Sequence, residues 1–283
     1  MARLFRLARE PRDACSLDPA PSGFCIVTAA GDIRIGVGGW IYAPWRDNFY
    51  PKGLTQAREL EYLGEHLTAT EINATFYKLQ KPESFAKWRD AVPDHFRFAV
   101  KGSGYCTNRK NLAEAGEAVL KFASQGIVEL GEKLGPINWQ LKGTKRFDAD
   151  EIAAFLALLP SSHEGVPLRH AIEARHESFD DPVFYDLTRQ AGVAVVVAES
   201  DKFAYFSAAD GPFVYARLQR CRAEEPNGYP PAEIAHWADQ ARGWAKEGRD
   251  VFTFFIAGAK EKAPAAARAL IAELAGDAVP PVE

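Results

Sequence analysis

The sequence has little of what marks disulfide-stapled, zinc-binding or membrane proteins. It contains four cysteines, but no Cys-x-x-Cys pair and no histidine at metal-ligand spacing, which argues against a structural zinc site. No segment approaches the roughly 20 apolar residues that span a bilayer. The net charge of -4 at pH 7 excludes a general attraction to polyanions. We therefore expect a cytoplasmic protein with reduced thiols and no membrane contact, and we leave the oligomeric state open.

The two ends of the 283-residue chain are expected to lie outside the fold. Arginines recur at positions 3, 6, 9 and 12 without an apolar core, which is not the pattern of a secretory signal. The acidic residues Glu10 and Asp13 argue against a transit-type leader. We predict a poorly ordered N-terminal extension over residues 1–31, one domain over 32–276 and a C-terminal tail over 277–283.

Between these ends, short β-rich runs alternate with longer stretches of helical periodicity. Eight runs are predicted as strands: residues 33–38, 69–73, 96–101, 136–141, 170–175, 193–198, 212–218 and 250–256. Seven stretches are predicted as helices: residues 55–66, 83–90, 112–134, 148–159, 182–191, 231–247 and 260–274. Only the connection over 199–211 lacks a helical pattern, so the sixth helix is expected to be missing or irregular.

Eight strands separated by crossovers within about 250 residues predict an α/β fold, a single (β/α)8 TIM-like barrel. The alternative is an open, doubly wound sheet, which normally carries a glycine-rich turn from a strand into a helix. The run GVGGW at 36–40 is rich in glycine, but Ile41, Tyr42 and Pro44 follow it in place of a helix start. The barrel is therefore favoured.

The strand periodicity predicts a ring of polar side chains inside this barrel. Successive residues of a barrel strand point alternately to the interior and to the helix layer. In the second strand, Glu71 and Asn73 share the face opposite Thr70 and Ile72. Four other strands contribute further polar residues to the interior by the same alternation: Lys101, Asn138, Gln140, Glu173, Arg175, Tyr215, Arg217 and Gln219. Because the carboxyl ends of barrel strands carry active sites, we expect the functional site there.

Two carboxylates and three cations in this ring indicate an anionic ligand, since arginine binds carboxylates and phosphates through paired hydrogen bonds. We predict Glu173, Glu71 and Lys101 as catalytic residues of a hydrolase or lyase. Its substrate is expected to be a small anionic or sugar-containing molecule. The predicted substrate contacts are Asn73, Arg175, Arg217, Gln140, Tyr77, Trp40, Tyr42 and Tyr215.

Each candidate also has a structural interpretation. Glu71 and Glu173 divide acid and base roles if their environments separate their pKa values, or they balance charge in an ion-pair network. Lys101 is a Schiff-base amine if its pKa is depressed, but an electrostatic role is favoured beside two carboxylates. The aromatic residues after the first three strands form either a stacking platform or ordinary rim packing: Trp40, Tyr42, Trp45, Phe49, Tyr50, Phe76, Tyr77 and Tyr105.

No cofactor is expected, because His176 alone among the six histidines follows a strand end. Glu199 and Asp201 leave a weakly held divalent cation as a remaining alternative. Nucleic-acid binding is the less favoured partner class, because the basic runs at 107–111 and 217–222 are short.

Six motifs resemble, in order, those of the YecE-like family, a domain of unknown function numbered 72. They are GVGGWIYAPWRDNFYPKGL (36–54), TATEINATFYKL (68–79), FRFAVKGSGYCTN (96–108), EKLGPINWQL (132–141), IEARHESF (172–179) and FVYARL (213–218). The resemblance implies a TIM barrel without an established role, distantly similar to endonuclease IV and sugar isomerases, which suggests a nucleic-acid or phosphoester function. The family's recurring polar positions correspond to Trp40, Tyr42, Trp45, Glu71, Asn73, Tyr77, Lys101, Gln140, Glu173, Arg175 and Arg217.

Four positions at the expected barrel mouth depart from the family pattern. Asn108 and Gln219 stand where the family has histidine, Lys142 where it has proline and Ile256 where it has asparagine. The change at Asn108 removes a potential acid or base. These departures indicate a divergent branch with a different ligand, or a catalytically inert ligand-binding barrel.

Overall fold

The computed structural model describes residues 30–206 and 211–276. The predicted extension over 1–31 and tail over 277–283 lie outside these ranges, apart from residues 30 and 31. All eight predicted strands form, and their ends shift by at most two residues from the predicted bounds. They are β1 (Ile33–Gly38), β2 (Ala69–Ile72), β3 (Arg97–Lys101), β4 (Leu134–Gln140), β5 (His170–Glu173), β6 (Ala194–Val195 and Val197–Glu199), β7 (Val214–Leu218) and β8 (Val251–Phe255).

The sheet closes on itself through the two segments of β6. Strand β1 pairs in parallel with β2 and β8, and the parallel pairing continues from β2 through β3 and β4 to β5. The first segment of β6 pairs with β5 and the second with β7. Only Val196 separates the segments, and its N–H donates to the carbonyl of Ile172 at 3.0 Å. This closure confirms the predicted barrel.

Nine α-helices lie within the described ranges, and the longer ones cover the outside of the barrel. They are α1 (Glu59–His66), α2 (Ala74–Tyr77), α3 (Pro82–Asp90), α4 (Gly104–Thr107), α5 (Gly116–Ala123), α6 (Ala149–Ala157), α7 (Pro182–Gln190), α8 (Pro231–Lys246) and α9 (Ala263–Ala275). Over 200–206 and 211–213 the chain has no helix, in agreement with the missing sixth helix. No helix in the described part of the chain has the length and apolar character needed to cross a membrane.

The single helix predicted over 112–134 is wrong. The segment forms the 3-10 turn Leu112–Glu114, helix α5 and a second 3-10 segment, Ile127–Lys133. Gly126 causes the break, because it adopts a left-handed conformation with φ of 101° that ends the helical path. A Cβ at this position would lie 2.6 Å from the Cα of Pro82, so the close approach of α3 also requires glycine.

The barrel interior is filled unevenly beneath the predicted polar ring. Strands β2, β3 and β5 contribute the buried alanines Ala69, Ala99 and Ala171, while β7 and β8 contribute large aromatic side chains. Phe252 and Phe254 belong to this interior cluster and are 1% and 0% exposed. The polar ring therefore rests on a dry apolar layer, in which a charge without a partner is costly.

Candidate functional site

Arg217 joins the two predicted carboxylates into one buried cluster. Its Nε and Nη2 donate to Glu71 at 3.1 and 2.9 Å, and its Nη1 donates to Glu173 Oε2 at 2.6 Å. Arg217 is 2% exposed and both glutamates are 0% exposed. We call the side chains of Arg217, Glu71, Glu173, Tyr215, Asn138 and Gln140 the Arg217 cluster.

Glu71 is held as a carboxylate by this cluster. The hydroxyl of Tyr215 donates to Glu71 Oε2 at 2.6 Å, beside the two bonds from Arg217. Burial alone would raise the pKa of Glu71, but Arg217, Lys101 and the Tyr215 hydrogen bond outweigh it and lower the pKa. Both oxygens of Glu71 therefore already accept hydrogen bonds.

Glu173 is also fully partnered. Arg175 donates from Nε to Oε1 at 2.8 Å, and the Gln140 amide donates to Oε2 at 2.9 Å. Burial would raise the pKa of Glu173, but Arg217, Arg175 and the amide hydrogen bonds together lower it to about 2. Neither predicted catalytic carboxylate retains a proton at neutral pH, so the geometry favours the ion-pair interpretation for both.

Lys101 differs from the other cations of the ring. It ends β3, is 8% exposed, and its Nζ lies 4.5 Å from the centre of the Phe76 ring. Within the described ranges its amine has no carboxylate or hydrogen-bonding partner. Burial and the nearby Arg217 lower its pKa to about 8, with partial compensation from the two glutamates.

Arg175 completes the outer side of the ring. Its Nε and Nη2 bind Glu173, while the guanidinium lies 4.2 Å from the centre of the Phe203 ring. The side chain is 18% exposed, compared with 2% for Arg217. Arg175 also lowers the pKa of Lys101, although it ranks below burial and Arg217, so the two cations lie close enough to interact. We call Lys101 and Arg175 the cationic edge.

We expect Tyr215→Phe to lower the free energy of unfolding by about 1.5 to 3 kcal/mol, the usual range for a hydrogen bond to a charged group. The substitution removes the hydroxyl group that donates to Glu71 at 2.6 Å and leaves every other side chain of the Arg217 cluster unchanged. Urea unfolding at neutral pH measures the change. The matched control is Tyr77→Phe, because Tyr77 is 76% exposed, and an equal effect of both substitutions would contradict the assignment.

The other predicted substrate contacts are dispersed. Asn73 is the N-cap residue of α2 and donates to the backbone carbonyl of Glu71 at 3.3 Å. The ring of Trp40 packs edge-on against that of Trp88, with 5.2 Å between the ring centres, and also against Phe98 on the helix-layer side of β3. Tyr42 packs against Trp45 and under the amine of Lys260.

The aromatic residues after the first three strands do not form one platform. Trp45, Phe49 and Tyr50 are buried in the outer core, at 0%, 8% and 1% exposure. Tyr77 and Tyr105 remain open to solvent, at 76% and 78%. The buried members follow the rim-packing alternative, because they fill the space between the barrel and its loops.

The residues considered for a divalent cation do not meet. Glu199 accepts a hydrogen bond from Tyr229, Asp201 pairs with Arg220, and the Nδ1 of His176 is 3.0 Å from the Ser178 hydroxyl. Among the residues that the structure describes, no group of three or more histidine, cysteine, aspartate or glutamate side chains is placed to hold a metal.

The four residues that depart from the family pattern all follow the carboxyl ends of barrel strands. Lys142 donates from Nζ to the backbone carbonyl of Asn108 at 3.2 Å, so two of the four contact each other. Ile256 packs against the interior apolar cluster. The Nε2 of Gln219 is buried and has no hydrogen-bonding partner in the described structure.

Asn138 and Phe203 were not among the predicted site residues. The amide nitrogen of Asn138 lies 3.5 Å from Glu71 Oε2 and 3.2 Å from Glu173 Oε2. Its polar strand face was the signal for it, since it shares that face with Gln140. Phe203 lies in the connection without helical pattern, and no sequence signal indicated its contact with Arg175.

Two curated proteins are similar to this chain in sequence. The chain is 29% identical over 150 residues to UPF0759 protein YecE of Escherichia coli (strain K12), a match that covers 52% of this chain and 50% of that protein. It is 32% identical over 162 residues to UPF0759 protein YunF of Bacillus subtilis (strain 168), covering 55% of each. The chain thus matches about half the length of these curated relatives.

The fold is also similar to that of solved structures. A DUF72 family protein (TM1631) from Thermotoga maritima MSB8 superposes with a TM-score of 0.68 at 19% identity, covering 87% of this chain and 100% of the other. The family model described as "Protein of unknown function DUF72" matches residues 34–282, nearly the whole of the barrel. The closed barrel, the ordered motifs and this match agree, and the chain is a member of the YecE-like DUF72 family.

Proposed function

We propose that this protein is a lyase that acts on a small anionic molecule, whose charged group binds at the cationic edge. The Lys101 amine carries this proposal, because it has no hydrogen-bonding or ion-pair partner over residues 30–206 and 211–276. With Lys101 protonated, the ring holds three cations and two carboxylates, so one positive charge is left for a ligand. Arg175 adds a guanidinium whose Nη1 has no hydrogen bond in the described part of the chain.

The exposed fractions of these side chains support a site that opens to solvent at the cationic edge. The carboxylates are 0% exposed, whereas Lys101 and Gln140 are each 8% exposed and the Arg175 side chain 18%. An incoming anion therefore meets donors before it meets Glu71 or Glu173. A carboxylate or phosphate replaces some of the water that Lys101 loses on burial.

The protonation states of the ionisable side chains favour a lyase over a two-carboxylate hydrolase. Such hydrolases need one carboxylic acid that is protonated at neutral pH and a second that is ionised. Here the pKa values of Glu71 and Glu173 are both lowered, by Arg217 foremost among the groups that offset their burial. Lys101, with a pKa of about 8, is the group of the ring able to exchange a proton near neutral pH.

The mouth also carries exposed aromatic side chains that suit the uncharged part of a ligand. Tyr77 and Tyr105 follow β2 and β3, and Tyr205 follows β6 with 60% of its surface exposed. These segments, including the short helices α2 and α4, extend from the carboxyl ends of their strands, the end at which Lys101 lies. Sugar or aromatic rings pack well against such side chains.

Nucleic-acid processing, the alternative suggested by the family resemblance, gains no support from the basic run at 217–222. Arg220 pairs with Asp201 and Arg222 pairs with Glu233, so both guanidinium groups are partly neutralised. A phosphate-tracking surface needs several cations that are free to contact the backbone.

Ligand-induced thermal shifts test the proposal. We expect small carboxylates or phosphates from a metabolite panel to raise the melting temperature, while the corresponding amides or esters do not. Lys101→Met and Arg175→Met should each abolish the shift. Lys260→Met is the matched control, because the Lys260 amine also lies 4.5 Å from an aromatic ring, that of Tyr42, but outside the ring of charges.

The masses of the products formed from a binding compound then separate the reaction classes. Cleavage products whose masses sum to that of the substrate support a lyase, and products that together contain one added water identify a hydrolase. Binding without turnover would indicate an inert ligand-binding barrel. Equal shifts for wild type and Lys101→Met, or binding of nucleic acid in preference to small anions, would refute the proposal.

A further inference from the structure

The amine of Lys101 is positioned for covalent chemistry as well as for electrostatics. It projects from the end of β3 into the barrel and stacks on Phe76 at 4.5 Å. The two carboxylates that would normally pair with it are occupied by Arg217, Arg175 and Tyr215. Its lone pair, once a proton has left, is therefore free to attack a bound carbonyl group.

A buried acceptor lies on the neighbouring strand. Asn138 is the register partner of Lys101, is 0% exposed and directs its amide nitrogen toward Glu71 and Glu173. Because carboxylates accept hydrogen bonds, the NH2 group of the Asn138 amide must face them. The Oδ1 of Asn138 therefore faces away from both carboxylates. This oxygen has no hydrogen-bonding partner among the described residues, although buried polar atoms are normally satisfied. An N–H or O–H formed during the reaction would satisfy it.

We propose that Lys101 forms an imine with an aldehyde or ketone that also carries a carboxylate or phosphate group. This inference rests on the function proposed above and specifies its substrate class. The anionic group binds Arg175, which places the carbonyl carbon near the amine. The nitrogen lone pair attacks this carbon, a C–N bond forms, and the carbonyl oxygen takes up a proton.

The carbinolamine then loses its oxygen as water, and the C=N bond replaces the C=O bond. One carbonyl compound and one amine give one imine and one water, with no change in oxidation state. The protonated imine withdraws electrons from the adjacent carbon more strongly than the parent carbonyl does. It therefore allows the adjacent C–C bond to break. The bonding electrons pass to the imine nitrogen and give an enamine, the departing fragment loses a hydroxyl proton and leaves as a carbonyl compound, and the enamine carbon takes up a proton. Water then hydrolyses the imine and restores the amine, so one substrate gives two products, which is the chemistry of a lyase.

The state of the amine agrees with this role. Burial and Arg217 lower the pKa of Lys101 to about 8. At pH 7 roughly one amine in ten is then neutral, a far larger fraction than for an ordinary lysine with a pKa near 10.4. The lowered basicity comes from burial first and neighbouring charge second, which also operates in other Schiff-base lysines.

Reductive trapping tests the inference. The full-length protein is incubated with pyruvate or with glycolaldehyde phosphate, and then with sodium borohydride. We expect one addition per chain, equal in mass to the probe less one oxygen atom. Because alkylation blocks tryptic cleavage after Lys101, the label should lie in the peptide over residues 98–109. Comparison of the two probes decides between a carboxylate and a phosphate substrate.

Three controls make the result specific. Lys101→Met should lose the labelled peptide, while Lys260→Met should label like wild type. Methyl pyruvate, which lacks the charge, should label Lys101 about tenfold more slowly, as expected for loss of a charge-assisted contact. In wild type the labelling rate should be half-maximal near pH 8, a readout that does not depend on whether a variant folds.

Labelling spread over surface lysines, equal in wild type and Lys101→Met, would overturn the inference. Propanoate, a carboxylate without a ketone, separates this failure from failure of the proposed function. If propanoate and pyruvate stabilise the protein through Lys101 and Arg175 but pyruvate is not trapped, the anion site stands and the imine is refuted. If neither compound nor any other anion binds, the proposed function fails as well.

Discussion

Arg217→Met is expected to lower the free energy of unfolding by about 3 to 5 kcal/mol, the usual cost of removing one partner from a buried charge cluster. The substitution leaves Glu71 and Glu173 without the guanidinium that binds both of them. Each carboxylate is 0% exposed, so water cannot replace the lost hydrogen bonds without disturbing the barrel. Urea unfolding of wild type and variant at neutral pH measures the difference.

The pH dependence of this deficit distinguishes lost charge pairing from lost packing. Without Arg217, the pKa values of Glu71 and Glu173 in the folded variant should rise above their unfolded values, because burial is then less opposed. A raised carboxyl pKa favours the folded state below the unfolded pKa, and that contribution is lost as the pH increases. The deficit should therefore be smaller near pH 4 than near pH 7. A deficit that is independent of pH would indicate a packing defect.

An exposed arginine provides the matched control. Arg58 forms an ion pair with Glu61, and the two side chains are 62% and 46% exposed. Arg58→Gln should leave the urea midpoint unchanged, since water replaces the partner. If Arg58→Gln and Arg217→Met destabilise the protein equally, the Arg217 cluster is not the source of the effect.

The wild-type barrel is expected to lose about 3 kcal/mol of stability as the pH falls from about 4.5 to about 2, through Glu173 alone. Arg217 and Arg175 outweigh the effect of burial and hold the pKa of Glu173 in the folded state at about 2, below its ordinary value of 4.5. A lowered carboxyl pKa stabilises the folded state above the unfolded pKa, and the contribution disappears as the pH decreases through the folded pKa.

Glu173→Gln tests this acid dependence. Its stability at pH 7 should be lower than that of wild type, because Arg217 and Arg175 lose an anionic partner, but its curve should be flatter below about pH 4.5. Asp94→Asn, at an exposed carboxylate on the surface, should reproduce the wild-type curve. Parallel curves for wild type and Glu173→Gln would show that other carboxylates cause the acid unfolding.

Strand periodicity was sufficient to predict which side chains enter the barrel. Lys101, Glu173 and Arg217 follow apolar residues, and Glu71 lies between Thr70 and Ile72. In each strand the less polar face suits the helix layer. The same reasoning included Asn138 in the polar face of β4, although it was not chosen as a site residue. Local patterns of this kind survive folding because a strand presents its faces in the same way wherever it lies.

Patterns failed where the outcome depended on a neighbour distant in sequence. The long helix predicted over 112–134 breaks at Gly126, where the backbone of Pro82 approaches too closely for any side chain. Likewise Trp45 and Tyr50 were candidates for a stacking platform, but they are buried against each other, with 6.2 Å between the ring centres. Composition does not distinguish a ring that packs from a ring that binds.

The amino-acid pattern was enough to predict the eight parallel strands, their polar faces and the family to which the chain belongs. The pairing of the charges could not be predicted in this way, because it depends on barrel closure. Arg217 reaches Glu71 across 146 residues of chain and Glu173 across 44, and barrel closure brings all three together. A buried charge is neutralised by the groups that barrel closure places within hydrogen-bonding distance. Closure therefore pairs both carboxylates, while the Lys101 amine has no such partner among the residues that the structure describes.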